Sequence, residues 1–401
     1  MSLPLVGVRV LDLTNIIAGQ LASLQLSMLG AEVIKVERPG TGDLARKMGS
    51  DAQFRSILMG VSFCMHNAGK KSLTLNLKHK RGKAIFKRLV KDADVVLENY
   101  RPGVMKKLGL DYPVLKKINP GLIFCAVSGF GQKGPLARRP SYDQIIQGFS
   151  GLMSLTGTTA TAPIRCGYVV CDSMATMTAA FAICAALYRK QKTGEGEMID
   201  VSMLDATLTT MASSIISNYL NAGKIPLPMG NENLTASPSG TYKTGDGLLN
   251  IVNNEQQQYE RLCDVIGMPA LKTDPRYAER DNRIQNRDEL HGIIEKALQA
   301  KPASEWERLF EEAGVPAGPI LTVPETMAHP QIESRHLLKR FKNIAGTGRD
   351  IDVLRLGFEL ESEQPDVDAP PPRLGQDTTD ILNSIGFSKR DIALLQQQGA
   401  I

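Results

Sequence analysis

The chain has 401 residues, of which 42% are hydrophobic and 22% are charged. This length exceeds what one hydrophobic core usually supports, so two domains are expected. The net charge of +5 comes from interspersed signs, which excludes a basic nucleic-acid-binding stripe and favours a small polyanionic partner. Polar or small residues interrupt the apolar stretches before the ~20 residues of a membrane span, and the first residues lack a secretion signal. We therefore predict neither membrane insertion nor secretion.

The cysteines and histidines show no pattern of a metal site or a disulfide framework. The cysteines stand at positions 64, 125, 166, 171, 184 and 263. They lack CxxC pairs and histidine partners, and the five histidines form no catalytic triad pattern. The sequence thus predicts reduced thiols, no bound metal and a cytoplasmic protein.

Apolar runs and amphipathic stretches alternate through the first half of the chain, as is typical of a parallel sheet covered by helices. The predicted elements in chain order are strand 8–13, helix 21–29, strands 32–36 and 95–97 around helix 80–91, strand 122–127, helix 173–189, strand 198–202 and helix 206–220. The predicted fold class is α/β, with a doubly wound, Rossmann-like parallel sheet domain.

Proline and glycine become frequent from about residue 222, where a smaller α+β domain is predicted. Its expected elements are strand 248–252 and helices 259–266, 287–298 and 303–313, and terminal helices 378–385 and 389–398 follow a proline-rich tether. The predicted domains are a large one of residues 1–200 plus about 375–401, a linker helix 201–224, a small domain 225–335 and a return linker 336–374.

The segment 129–134 reads Gly-Phe-Gly-Gln-Lys-Gly, a literal G-x-G-x-x-G after a predicted strand. A dinucleotide site requires a helix that opens at the third glycine. Pro135 and Pro140 prevent this, because proline lacks a backbone donor and restricts the preceding residue. NAD binding is therefore not predicted, although a glycine-rich turn beside Lys133 and Arg139 suits an anionic ligand.

Asp172 stands where the apolar segment 166–171 gives way to the long predicted helix. Unpaired N–H groups at a helix start favour the ionised carboxylate, the form that attacks a carbonyl carbon. Asp172 is therefore the predicted nucleophile. The alternative is a plain N-cap, a position that aspartate commonly occupies.

A series of motifs extends over nearly the full chain. They are LVGVRVLDLT from residue 5, LGAEVIKVERP from 29, GTGD from 40, KSLTLNL from 71, DVVLENYRPG from 94, SGFGQKGP from 128, GVPAGP from 314 and PPPRLG from 370. In order and spacing they resemble the class III CoA-transferase family, which includes the CaiB/BaiF and formyl-CoA transferase-like proteins.

This resemblance implies an enzyme that moves CoA from an acyl-CoA donor to a carboxylic acid through an aspartyl anhydride and an aspartyl-CoA thioester on Asp172. It also implies an interlocked homodimer, with CoA as substrate and product. The CoA contacts that it implies are Ile16, Ile17 and Ala18 along the pantetheine and thioester, Arg38 against the adenine, Asn99 and Tyr100 beside the chain, and Lys107 and Arg139 at phosphates.

Two other functions stay open on this reading. The α-methylacyl-CoA racemases share the fold but use a Gly-His-Asp motif where this chain has Ser141-Tyr142-Asp143. Tyrosine has too high a pKa to replace that base easily, which favours transfer. The other alternative is a CoA-binding scaffold without activity.

The substrate residues are predicted from differences within the family. Ile17 replaces a glutamine of the oxalate-using members, and the segment around Gly240 lacks a run of glycines. These differences disfavour oxalyl transfer, so succinyl-CoA is the preferred donor. Tyr142 and Gly240 are predicted to lie near the substrate. Arg46 is predicted to pair with a distal substrate carboxylate, the alternative being an exposed salt bridge.

Overall fold

The computed structural model describes residues 3–401, apart from the side chain of residue 214. The chain forms two compact units. The larger unit contains the described residues up to Gly151 together with Arg165–Lys224 and Glu333–Ile401, and the smaller contains Leu152–Ile164 and Ile225–Ile332. These units differ from the predicted ranges, because 152–164 group with the smaller unit and 336–374 with the larger. The predicted domain boundaries stay a proposal.

The described strands are numbered in chain order. They are β1 (Arg9–Asp12), β2 (Glu32–Glu37), β3 (Lys71–Thr74), β4 (Val95–Glu98), β5 (Ile123–Ser128), β6 (Met198–Ser202), β7 (Ser239–Lys243), β8 (Leu248–Val252), β9 (Ala317–Pro319), β10 (Leu338–Phe341) and β11 (Ile351–Leu354).

The α-helices of the described chain follow the same numbering. They are α1 (Ala18–Met28), α2 (Ala52–Ser56), α3 (Val61–Asn67), α4 (Lys80–Val90), α5 (Val104–Leu108), α6 (Tyr112–Leu115), α7 (Asp143–Phe149), α8 (Leu152–Leu155), α9 (Val170–Thr193), α10 (Met203–Thr210), α11 (Ser217–Ala222), α12 (Gln256–Val265), α13 (Arg280–Gln285), α14 (Arg287–Leu298), α15 (Ala303–Glu312), α16 (Val323–Met327), α17 (Pro330–Ser334), α18 (Thr378–Ser384) and α19 (Lys389–Gln397).

The larger unit is built on a six-stranded sheet in the order β3-β2-β1-β4-β5-β6. Every neighbouring pair is parallel, and Leu11 of β1 pairs with Ile34 of β2 on one side and Val96 of β4 on the other. This is the strand order of dinucleotide-binding folds, in which the order reverses between β1 and β4. The α/β prediction with a parallel sheet is confirmed.

Helices cover both faces of this sheet because successive strand residues point to opposite sides. On one face Leu11 and Val96 form a hydrophobic core with Phe86 of α4 and Leu382 of α18. On the other face the adjacent Asp12 accepts a hydrogen bond from Ser23 of α1 at 2.6 Å. α1 packs there against β1, β2 and β4.

The last helices close the β3 edge of the sheet. Asp377, which precedes α18, accepts a hydrogen bond from the Ser72 N–H at 2.7 Å and donates its own N–H to the Ser72 carbonyl at 3.0 Å. Farther on, the Ala400 carbonyl accepts from the Asn76 N–H at 2.9 Å. The edge strand β3 and the residues just after it are thereby covered by the segment from Asp377 to Ala400.

The segment predicted as a return linker contains a hairpin in the structure. β10 and β11 pair antiparallel, and their Phe341 and Val353 join a hydrophobic cluster with Phe54 and Phe63 in the larger unit. This segment is therefore partly folded, and the hairpin is a feature that the linker prediction for residues 336–374 did not include.

α9 is long and apolar enough to cross a membrane by length and composition, and no other helix among residues 3–401 is. Asp172, Ser173 and Thr176 interrupt its apolar residues, and the expectation of no membrane insertion stays a prediction. Core helices share these properties, and α9 packs against α1, α7 and α10 and strands β5 and β6.

The smaller unit has a three-stranded antiparallel sheet in the order β7-β8-β9. The buried Tyr242 and Ile251 of this sheet pack against Tyr259 of α12, Ile294 of α14 and Phe310 of α15. These helices are amphipathic, and each turns its apolar stripe toward the sheet.

Candidate active site

A cavity of about 400 Å³ lies beyond the carboxyl ends of the sheet strands in the larger unit. Its walls come from the loops after β1, β4 and β5 and from the first turn of α9. The lining residues are Asn15, Ile16, Ile17, Ala18, Leu44, Asn99, Tyr100, Arg101, Pro102, Val127, Ser128, Gly129, Ala137, Arg139, Ser141, Tyr142, Asp172 and Met203. Because β1 and β4 flank the point where strand order reverses, the cavity has the usual position of a ligand site in this architecture.

Asp172 reaches this cavity from the first turn of α9. The helix begins at Val170, so Asp172 is its third residue rather than its cap, and the predicted helix start is wrong by three residues. The side chain is partly buried. Val169, the residue before the helix, makes no side-chain cap. The alternative interpretation of Asp172 as an N-cap therefore does not fit this structure.

The electrostatic environment of Asp172 opposes ionisation. Burial, and then the neighbouring Asp143 carboxylate, raise the pKa of Asp172 from 3.8 to about 7. The sequence argument considered only the helix N-terminus, whose effect has the opposite sign. Near neutral pH the carboxylate is consequently poised between its protonated form and the anion that can attack a thioester.

The loop between β1 and α1 forms the wall that contains Ile16 and Ile17. Asn99 holds this loop with two 2.8 Å hydrogen bonds, accepting from the Asn15 N–H and donating to the Asn15 carbonyl. Ile16 has a φ of 70°, which is strained for a β-branched residue, and its N–H donates to Asp43 at 3.2 Å. Lys35 in turn contacts Asp43 at 2.9 Å. The wall is thus held in a conformation that its own sequence disfavours.

A second cavity of about 470 Å³ shares Asn15, Leu44 and Tyr100 with the first. Arg38 lines it together with the 3-10 turn residue Lys47 and with Lys78. Tyr100 stands between the two cavities, and burial raises the pKa of its phenol to about 12, so the hydroxyl stays neutral. A ligand with an anionic end, which would bind beside Arg38, Lys47 and Lys78, and a long arm that reaches into the first cavity fits this pair of cavities.

The predicted residues Ile16, Ile17, Ala18, Asn99, Tyr100, Arg139 and Tyr142 all line the cavity that contains Asp172. A scan against protein-family models matches residues 5–378 to CoA-transferase family III. The chain belongs to CoA-transferase family III.

Relatives of this class III CoA-transferase span nearly its whole length. The acetyl-CoA:oxalate CoA-transferase of Acetobacter aceti is 39% identical over 363 residues, or 90% of this chain and 92% of the relative. The human succinyl-CoA:glutarate CoA-transferase is 35% identical, over 99% of this chain and 90% of the relative. A solved CaiB/BaiF family protein from Brucella suis superimposes with a TM-score of 0.82 at 33% identity, covering 96% of this chain and 100% of that one.

Arg46 cannot take the substrate role predicted for it, because its side chain is fully buried. Its guanidinium makes a two-pronged ion pair with Glu37, at 2.6 and 2.7 Å. It also donates to the Leu58 and Pro372 carbonyls and lies 3.6 Å from the Phe63 ring centre. The alternative of an exposed salt bridge is equally wrong, since the pair is internal.

Two further predicted residues of the transferase are not among the residues that line these cavities. Lys107 is exposed on α5 and lines neither cavity, although its neighbours Val104 and Leu108 line the second one. Gly240 belongs to β7 of the smaller unit, where a side chain at its position would meet the Glu232 carboxylate at 2.5 Å. Their predicted roles stay predictions.

The sequence analysis missed Asp143 and Ser128 as members of the transferase site. The Ser128 hydroxyl is buried in the cavity wall and has no hydrogen-bond partner among the described residues, so a ligand oxygen can satisfy it. In the sequence, Asp143 entered only as the residue after Tyr142 in the segment that differs from the racemase motif. Within residues 3–401 no three His, Cys, Asp or Glu side chains are grouped to hold a metal.

Proposed function

We propose that this class III CoA-transferase transfers CoA from succinyl-CoA to a small dicarboxylic acid through covalent intermediates on Asp172. The observation that carries the proposal is the exposure of Asp172 to a cavity of about 400 Å³ at the reversal point of the sheet. That cavity adjoins a second one lined by Arg38, which is large enough for the nucleotide end of CoA.

In the first half-reaction the Asp172 carboxylate attacks the thioester carbonyl carbon of the donor. A carbon–oxygen bond forms, the carbon–sulfur bond breaks, and the electron pair leaves with the CoA thiolate. The thiolate then attacks the aspartyl carbonyl of the anhydride and releases the donor acid. The resulting aspartyl-CoA thioester reacts with the acceptor carboxylate by the same two steps in reverse.

The neighbouring residues supply position rather than acid–base chemistry. The attacking form of each nucleophile is an anion, so no general base is needed in the attack once Asp172 is ionised. Pantetheine is assigned to the wall of Ile16, Ile17 and Ala18, and the nucleotide to the cavity with Arg38. Backbone N–H groups of the lining loops are suited to the tetrahedral oxyanions.

The choice of acid draws on two groups of relatives. The enzymes of Agrobacterium fabrum and human are named for succinate or succinyl-CoA and glutarate, at 36% and 35% identity. Ile17, where oxalate-using members have glutamine, supports this pair. The relative named for oxalate is 39% identical, which makes oxalate the second candidate acceptor.

Trapping of the acylated enzyme tests the covalent route. Wild type mixed with succinyl-CoA and hydroxylamine should carry a hydroxamate on the peptide that contains Asp172, as read by mass spectrometry. D172N should carry none, whereas the control D205N, which removes an exposed carboxylate from α10, should react like wild type. Rates with glutarate and oxalate then rank the two acceptors.

Two results would contradict this function. Deuterium exchange next to the thioester without trapping would indicate proton transfer, and neither signal with tight CoA binding would indicate a scaffold. The interlocked homodimer stays a prediction from the resemblance, and the cytoplasmic location stays a prediction from the sequence. Light scattering tests whether the chain forms a homodimer, since a dimer has twice the mass of one chain.

A further inference from the structure

Asp143 supplies the cap that the sequence of α9 lacks. Its Oδ1 accepts hydrogen bonds from the backbone N–H groups of Cys171 at 2.8 Å and Asp172 at 3.3 Å. These donors belong to the first turn, where no intrahelical acceptor exists. Asp143 itself is only 5% exposed, so its carboxylate is held inside the protein directly behind the nucleophile.

Gln147 fixes the Asp143 carboxylate in this position. Its Nε2 donates to Asp143 Oδ2 at 2.6 Å, and its Oε1 accepts from the Cys166 N–H at 2.9 Å. The same Nε2 contacts the Tyr168 carbonyl at 3.2 Å. Gln147 is fully buried and one helical turn after Asp143 on α7, so the two residues tie α7 to the segment that enters α9.

We propose that Asp143 is a positioning residue that fixes the first turn of α9 and, through its charge, disfavours free ionised Asp172 relative to acylated Asp172. The inference rests on the proposed covalent function. It requires only that the Asp143 carboxylate stay beside Asp172, and the backbone N–H of Asp172, which donates to Asp143 Oδ1 at 3.3 Å, holds the two residues together.

Charge movement during acylation explains why this arrangement helps. When Asp172 attacks the thioester, its negative charge leaves with the CoA thiolate, and the anhydride that remains is neutral. The aspartyl-CoA thioester formed next is neutral as well, and the charge is then on the released acid. Repulsion from Asp143 therefore acts on the free enzyme and is relieved in both covalent intermediates.

The elements packed against this turn present several other titratable groups. They are Arg139, Tyr142, Cys166, Tyr168 and Cys171 near the cavity, Cys125 on β5, Asp200 on β6 and Asp205 on α10, while α1 has none. Burial raises the pKa of the Cys171 thiol to about 11, so it is neutral. The raised pKa of Asp172 has two causes, which are burial of the side chain and the neighbouring Asp143 carboxylate.

The test compares D143N with wild type in the absence of substrate. D143N keeps the oxygen that accepts from Cys171 and Asp172 but loses the charge. Infrared titration of the protonated carboxyl stretch, with D172N as the blank, reports Asp172 directly. We expect its midpoint near pH 7 in wild type and lower by about one unit or more in D143N. An unchanged midpoint in folded D143N would overturn the proposal.

A second measurement adds the chemical consequence. With succinyl-CoA at pH 8, the ratio of aspartyl-CoA thioester to free enzyme should fall about tenfold in D143N, as one pKa unit corresponds to a tenfold change in an equilibrium constant. D205N is the matched control and should match wild type in both assays. Absence of any adduct in wild type would contradict the proposed function, while the substrate-free titration still judges Asp143.

The double variant D143N/Q147E guards against a folding defect. In D143N the new amide faces the Gln147 amide, donor against donor. Q147E restores an acceptor there and keeps the oxygen that binds the Cys166 N–H, but loses the hydrogen bond to the Tyr168 carbonyl. The double variant should fold, with its charge farther from Asp172 and a midpoint between those of wild type and D143N. If D143N proves unfolded, the double variant decides the matter. A titration midpoint equal to that of wild type in the double variant would then overturn the proposal.

Discussion

The substitution D172N should stabilise the protein at neutral pH while it removes the nucleophile. The pKa of Asp172 is 3.8 as a free side chain and about 7 in the fold. Between these values the folded state holds a proton that the unfolded chain has released. The free energy of unfolding of wild type therefore falls as pH rises through this window. The amide of D172N does not titrate and escapes the loss.

The magnitude follows from the width of the window. Each pH unit well inside the window changes the free energy of unfolding by ~1.4 kcal/mol, and the slope flattens near the folded pKa, so wild type loses ~2.3 kcal/mol relative to D172N between pH 5 and 7. Above about pH 8 the carboxylate is largely ionised in both states, and the difference levels off. Stability is thus greatest below the unfolded pKa and declines toward the folded one.

Urea unfolding at pH 5, 6, 7 and 8, extrapolated linearly to water, measures this difference. D205N gives the baseline for loss of a carboxylate from the start of a helix that packs on α9. A difference between D172N and wild type that stays constant from pH 5 to 8 would refute the reasoning, because the proton would then not be held more tightly by the fold.

Three further predictions concern activity and the interior. The value of kcat/KM should rise about tenfold from pH 6 to 8, because the ionised fraction of a group with a pKa near 7 grows from ~0.1 to ~0.9, and a flat profile contradicts this. R46M should lower the free energy of unfolding by about 3–5 kcal/mol in urea, since it leaves the buried Glu37 carboxylate without its guanidinium partner, with R46M/E37Q less affected. R38Q should raise KM for succinyl-CoA about tenfold with kcat kept, whereas K107Q, outside both cavities, should change it less than about twofold. Equal effects of R38Q and K107Q would contradict that assignment.

Elements with a strong periodic pattern were predicted well from the sequence. β6, β8 and α14 coincide with their predicted ranges, because alternation or a helical apolar stripe specifies them locally. The hairpin of β10 and β11 was missed. Its strands are short, and its apolar residues are buried by contacts with Phe54 and Phe63, almost three hundred positions earlier in the chain.

For the site, too, the position of residues in local motifs was predicted from the sequence, whereas contacts that depend on partners distant in the chain were not. Motif resemblance predicted the cavity residues around Asp172, since each motif follows a strand whose end meets the others at one edge. Arg46 was misjudged because its partner Glu37 lies on β2 and faces it only after the intervening loop folds. Asp143 was missed because it caps a helix that begins 27 residues later. No pattern within α9 reveals such a distant cap.

The closure of β3 by the last described residues has a consequence for biosynthesis. The partner of Ser72 is Asp377, 305 positions later, so the ribosome exposes this sheet edge long before its cover is made. Residues 225–332, by contrast, are contiguous and bury their own core while translation continues. Nascent chains therefore carry an open edge strand through most of synthesis, the stage at which pairing with a neighbouring nascent chain is hardest to avoid.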